Sequence, residues 1–131
     1  MQLVNYRKIY FIDTGLLQSI TTSFSKDLGR KLENSVFWEL RRNGKNIYYF
    51  NENGKECDFV VFKRNQVDQL IQVCHFLNSD NEQREINGLL DAMEFFKLDT
   101  GLIITFNQED VLYSNGKRIE VIPAYKFFQK K

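Results

Sequence analysis

No stretch limits the fold more than Gly101-Leu-Ile-Ile-Thr-Phe106, an uninterrupted apolar run without a single charge. A strand with one face in water alternates polar and apolar residues, so a run of this kind reads as a strand covered on both faces. Helices must then lie on both sides of its sheet. Two segments supply them. From Asp27 to Arg42 the pattern predicts a helix, with Ser25 or Asp27 to cap its free N–H groups and Asn43-Gly44 as its stop. Over about residues 81–97, Ile86, Leu89, Leu90 and Met93 follow the i, i+3, i+4, i+7 rule, while Glu82, Arg84, Glu85 and Asp91 fall elsewhere on that helix surface.

Strand patterns fill the remainder. Lys8 to Ile12 is a short β-type run closed by Asp13-Thr-Gly15. Lys45 to Phe50 and Glu56 to Phe62, joined through Asn51-Glu-Asn-Gly54, read as a hairpin. A turn at Lys63 to Gln66 leads to a third strand, Gln69 to Phe76. Val111 to Tyr113, the Asn115-Gly116 turn and Arg118 to Ile122 give a last hairpin, which Pro123 ends, and Ala124 to Lys131 form a short terminal helix. The order α, three β, α, β, β, α fits an α/β domain of three layers, α/β/α, with a mixed central sheet. At 131 residues the chain is one domain, with residues 1–25 as an N-terminal extension packing on the core.

Charge and composition exclude several functions. Eighteen Lys and Arg against 17 Asp and Glu leave a formal charge of +1, so contact with a polyanion must be local. Two cysteines and one histidine exclude a disulfide framework or a zinc knuckle. No phosphate-cradling glycine loop occurs, and no apolar run approaches the roughly 18 residues of a membrane span. A soluble, cytoplasmic protein is expected, with no membrane partner and with a homo-oligomer left open.

The acidic residues are the informative ones. At about 100° per residue, Glu33 falls within the apolar arc of Leu32, Val36, Phe37 and Leu40, and a carboxylate facing an interior needs a partner. That partner is a metal, a base or a donor such as Arg30 or Arg41; Glu39 lies nearer the rim. A period of two places Glu56, Asp58, Val60 and Phe62 on one face of their strand and Cys57, Phe59 and Val61 on the other. In the next strand Leu70, Gln72, Cys74 and Phe76 share a face, opposed by Ile71, Val73 and His75. Glu33, Glu56, Asp58 and Gln72 would then converge as an oxygen-rich site of the kind Mg²⁺ prefers, with Glu33, Glu56 and Asp58 as candidate ligands. Polar residues at a strand start can equally be solvent-facing. Cys74 and His75 point to opposite faces and make no dyad. Basic side chains at Arg41, Arg42, Lys45, Lys63 and Arg64 sit by turns, where they could touch DNA phosphates or simply solubilise the surface. The aromatic runs Tyr48-Tyr-Phe50 and Tyr125-Lys-Phe-Phe128 suit sheet packing, with a protein interface as the other reading.

Three segments, Lys8-Ile-Tyr-Phe-Ile-Asp-Thr-Gly-Leu-Leu17, Gly29-Arg-Lys-Leu-Glu-Asn-Ser-Val-Phe-Trp-Glu-Leu-Arg-Arg42 and Glu56-Cys-Asp-Phe-Val-Val61, carry a resemblance. They resemble the C-terminal domain of unknown function that follows the ATPase module in a large family of prokaryotic AAA+ type ATPases. Leu70-Ile-Gln-Val-Cys74, Arg84-Glu-Ile, Leu102-Ile-Ile-Thr105 and Val121-Ile-Pro-Ala124 extend it over most of the chain. That domain is similar to the PD-(D/E)XK nuclease superfamily, so the resemblance implies a restriction-endonuclease-like core. It also implies an ATPase module, in the same or another chain, as a partner. By the same resemblance Glu33 matches the helical acid, Asp58 the strand acid, and Gln72-Val-Cys74 the E-x-K tripeptide. Gln72 brings no charge, and a strand-buried thiol at Cys74 cannot replace a lysine. Loss of such a positive group costs on the order of 10²–10³ in rate. The expectation is a catalytically degenerate nuclease-fold domain, acting in DNA binding or in ATPase regulation and assembly. An active Mg²⁺-dependent endonuclease, with a displaced lysine such as Lys55 or Lys63, is the alternative. The Asp13-Thr-Gly15 tripeptide keeps a remote third reading, a dimeric aspartic protease-like enzyme.

Overall fold

A computed structural model of the chain describes residues 2–5, 24–52 and 54–129. Ten elements follow in order: β1 (Gln2–Asn5), α1 (Phe24–Arg42), β2 (Asn46–Glu52), β3 (Lys55–Lys63), β4 (Gln66–Val73), α2 (Glu82–Phe96), β5 (Thr100–Thr105), β6 (Asp110–Ser114), β7 (Lys117–Pro123) and α3 (Ala124–Gln129). The strands form one seven-stranded sheet in the order β1-β2-β3-β4-β5-β7-β6. Pairings β4–β5 and β5–β7 are parallel and the others antiparallel, so the sheet is mixed.

Both faces of the sheet are covered, as the apolar run at residues 101–106 requires. On one face Leu32, Val36, Phe37 and Leu40 of α1 pack with Ile47, Phe59, Val61, Ile71 and Ile104, and Phe127 and Phe128 of α3 join them. On the other, Leu89, Ala92 and Met93 of α2 pack with Phe50, Cys57, Leu70, Ile103 and Ile119. Three layers with a mixed sheet result. The aromatic runs serve this packing, with Phe50 buried against Phe95 and Phe96 and Tyr48 edge-on to Phe62; Tyr125 alone of its run stands out into solvent.

Several boundaries differ from the sequence reading, each for a local reason. Helix α1 begins at Phe24, so Ser25 and Asp27, read as caps, lie within its first turn. Strand β4 starts at Gln66 because Arg64 and Asn65 both adopt left-handed conformations, φ 55° and 66°, and close a two-residue hairpin without glycine. The same strand stops at Val73, leaving Cys74 to Phe76 beyond it. Strand β1, which no alternation announced, pairs with β2 at the edge of the sheet. The expected strand at residues 8–12 and the Asp13-Thr-Gly15 turn lie outside the described residues.

Candidate functional site

The site forms where β3 and β4 part. Opposite β2, Tyr48 pairs with Val60 and Phe50 with Cys57, so Asp58 and Phe59 together face the single residue Tyr49. This is a β-bulge, and a bulge turns the side chains on either side of it against the strand period. Cys57 consequently shares the α2-side core with Val60, while Phe59 and Val61 face α1. The period-two expectation that opposed Cys57 to Val60 is corrected here.

Beyond the bulge side chains take over from the β3–β4 ladder, whose last regular pair is Phe59 with Ile71. The Asp58 N–H donates to Gln72 Oε1 at 2.8 Å, and the Val73 N–H donates to Asp58 Oδ2 at 2.8 Å. Gln72 Nε2 donates to the carbonyls of Glu56, at 2.7 Å, and Glu85, at 3.1 Å. The buried Gln72 amide therefore ties β4 to both β3 and α2, and its oxygen is occupied by the backbone rather than offered to a cation. Gly88 makes this approach possible: a Cβ there would stand 2.1 Å from the Glu56 carbonyl oxygen and 2.9 Å from Gln72 Nε2.

Carboxylates gather around this clamp. Burial pushes the Asp58 carboxyl well above the ordinary range, and the charges of Glu33, Glu85 and Glu56 add to that against the opposing Val73 hydrogen bond. Glu85 is likewise raised by burial, although Arg84 beside it, Nη2 to Oε2 at 3.3 Å, pulls the other way. Glu85 thus belongs to the cluster. Sequence periodicity had left it with the surface charges of α2, since helical position says little about what the sheet brings opposite. The signal available was the unbroken Arg84-Glu-Ile segment. Oxygen donors suit Mg²⁺ by type, but among the described residues no three acidic, histidine or cysteine side chains come close enough together to hold an ion. The charges of Glu33 and Glu56 act on Asp58, and among the described residues the three do not form a ligand set.

Cys74 has the character of a packed thiol. Burial pushes it up to about 11, with the Glu85 charge adding, and its Sγ–H points to the Phe76 carbonyl at 3.5 Å. It is neutral at pH 7 and cannot stand in for lysine. Of the named lysines, Lys55 pairs with Asp91 at 3.4 Å and lines the cleft beside Asp58 and Gln72, while Lys63 is exposed at the far end of β3. Arg84 lines two adjoining clefts at the clamp, the first of them together with Lys55. One, of about 400 Å³, is bounded by Glu56, Asp58 and Gln72; the other, of about 620 Å³, by Arg30, Glu33, Cys74 and His75.

The basic residues lie elsewhere. Asn46 pairs with Phe62 and Lys63 with Gln66, which brings Lys45, Lys63 and Arg64 to one end of the sheet, where Arg41 and Arg42 close α1. Along β3 Lys63 is five residues from Asp58, about 16 Å at roughly 3.3 Å per residue, and along α1 Arg41 is eight residues from Glu33, about 12 Å at roughly 1.5 Å per residue. Arg42 is also engaged by Glu39 at 2.8 Å.

No family model matches the chain. Over 95% of its length the chain is similar, at 40% identity across 134 aligned residues, to an uncharacterized protein of Methanocaldococcus jannaschii. It spans 30% of that relative's length. No helix among the described residues is long and apolar enough to cross a membrane.

Proposed function

We propose that the chain is a nuclease-fold domain that has given up phosphodiester cleavage and works beside an ATPase module, binding DNA through its basic turns. One observation carries this reading: at the two positions where the resemblance asks for an acid and a lysine, Gln72 spends its amide on three backbone groups and Cys74 is a buried, neutral thiol. Neither can hold a metal or stabilise charge on a phosphate. That the relative carries this stretch within a much longer chain agrees with a module acting next to others, and the reading takes the domain as cytoplasmic.

A second reading, the active Mg²⁺-dependent endonuclease, is favoured by Arg84, a cation displaced onto a helix at the clamp. Incubation of the protein with plasmid DNA and Mg²⁺ separates the two. Intact plasmid, together with duplex binding that weakens in Lys63→Ala and Arg64→Ala, supports the silent domain. Mg²⁺-dependent nicking that disappears in Asp58→Ala and Arg84→Ala overturns it in favour of the endonuclease.

A further inference from the structure

At the C-terminal ends of the parallel strands β4, β5 and β7 three rings face solvent: Phe76 is 53% exposed, Phe106 58% and Tyr125 58%. Leaving such rings in water forgoes roughly 1.5–3 kcal/mol each. Their backbone is nevertheless held in place. The Phe106 N–H donates to the His75 carbonyl at 3.0 Å, and the Ala124 N–H donates to the Phe106 carbonyl at 3.4 Å. The Gln108 side chain accepts from the Leu77 N–H at 2.7 Å and donates to the Leu77 carbonyl at 3.0 Å, locking the two loops together. The His75 ring lies nearly parallel to Phe106, centroids 5.2 Å apart and planes at 17°. One face of Phe106 is thus backed by His75, and an ordered backbone that leaves the rest of the ring and Phe76 exposed is what a stacking platform requires.

Beside the rings the larger cleft sorts its charges by depth. Arg84 stands at the mouth with 75% of its side chain exposed and Arg30 is exposed nearby, while the side chain of Glu85 is only 15% exposed. We propose that this rim binds single-stranded nucleic acid, with unpaired bases stacked on Phe106 and Phe76 and phosphates held by Arg30 and Arg84. Guanidinium groups alone would suit any anion, and rings alone any apolar surface. The two together suit a chain in which flat bases alternate with phosphates. A duplex keeps its bases stacked within and offers them to no ring. The rim lies at the opposite end of β4 from the basic turns, so it is a separate surface, and it stands whether or not the domain has the nuclease ancestry proposed above.

Fluorescence anisotropy of a fluorescein-labelled oligothymidylate, titrated with the whole chain, tests it. Binding is expected to weaken as salt rises, and Phe106→Ala and Phe76→Ala each to loosen it by roughly five- to 100-fold. Arg84→Gln should lower the salt slope by about one. Tyr113→Ala, which removes a ring 74% exposed on the edge strand β6, is expected to change nothing. Phe106→Leu keeps the apolar volume without the ring and should lose affinity at an unchanged melting temperature, which separates stacking from folding. The proposal is overturned if the oligothymidylate does not bind, if it binds equally after both phenylalanines are replaced, or if duplex of equal length competes as well as the single strand. Unchanged binding in the ring variants with loss in Lys63→Ala would assign the nucleic acid to the basic turns instead.

Discussion

The Gln72 amide engages three backbone groups where the β3–β4 ladder has ended, and its energetic weight follows from that. Each buried group left unpaired costs about 1–3 kcal/mol, so Gln72→Leu is expected to lower stability by roughly 3 kcal/mol, read as a fall in the urea midpoint at constant slope. Gln72→Glu tests the site's charge in addition. The carboxylate can still accept from Asp58, yet it meets the Glu56 and Glu85 carbonyls with no proton to give. It should cost as much as the leucine at neutral pH and less in acid. The two helical glycines contrast in the same experiment. Gly88→Ala drives a Cβ into a main-chain oxygen and is expected to cost about 3 kcal/mol, whereas Gly29→Ala, with nothing within 4 Å, should stabilise α1 by roughly 0.5–1 kcal/mol.

At the scale of elements the bulge in β3, the end of β4 and the first turns of α2 are joined by carboxyls that resist ionising. A carboxyl with a raised pKa in the folded state binds its proton more tightly there than in the unfolded chain, where the ordinary value is near 4. The stability it confers is complete below that value and is lost as pH rises through the folded pKa. The protein is therefore expected to gain stability on acidification from pH 7 towards pH 5. Asp58→Asn, which retains an oxygen for the Val73 N–H, should be more stable than wild type at pH 7 and should show a flatter pH profile, measured by urea unfolding at each pH. Cys57, fully buried, and Cys74 are expected to stay unreactive to a thiol reagent until the chain unfolds. Much of this architecture was legible beforehand. Helices α1 and α2, the hairpins and the doubly covered β5 all follow from apolar spacing and from the Asn-Gly turns. The bulge did not, since one extra residue leaves composition unchanged and only the partner strand reveals it. The turn at Lys63 to Gln66 did, but not the start of β4 at Gln66 directly after it, since Arg64-Asn65 lacks the usual glycine; nor did the entry of Glu85, which depends on where α2 lands on the sheet. Glu33 could be read from its helical arc, whereas the engagement of Gln72 with backbone could not, because its three partners come from two other elements.

For the whole molecule, the sheet is the wall between two apolar cores, and neither core can be lost without exposing the other face of the same strands. Phe59 and Ile71 sit in the α1-side core while Val60 and Leu70, their chain neighbours, sit in the α2-side core, so the antiparallel pair β3–β4 serves both. Unfolding should then be a single cooperative event. Phe59→Ala and Met93→Ala empty opposite cores, at an expected cost of about 3–5 and 2–5 kcal/mol. In each variant far-ultraviolet circular dichroism and the fluorescence of Trp38, which packs at the α1-side core, should shift together along one urea transition. Separate transitions for the two probes, with one unmoved by Met93→Ala, would mean that α2 detaches from the sheet on its own. The clamp argues against that outcome, because α2 is fastened to β3 and β4 by Gln72 and by the close approach at Gly88 as well as by its apolar face. Releasing α2 would break the Gln72 bond to the Glu85 carbonyl and uncover the β3 bulge together.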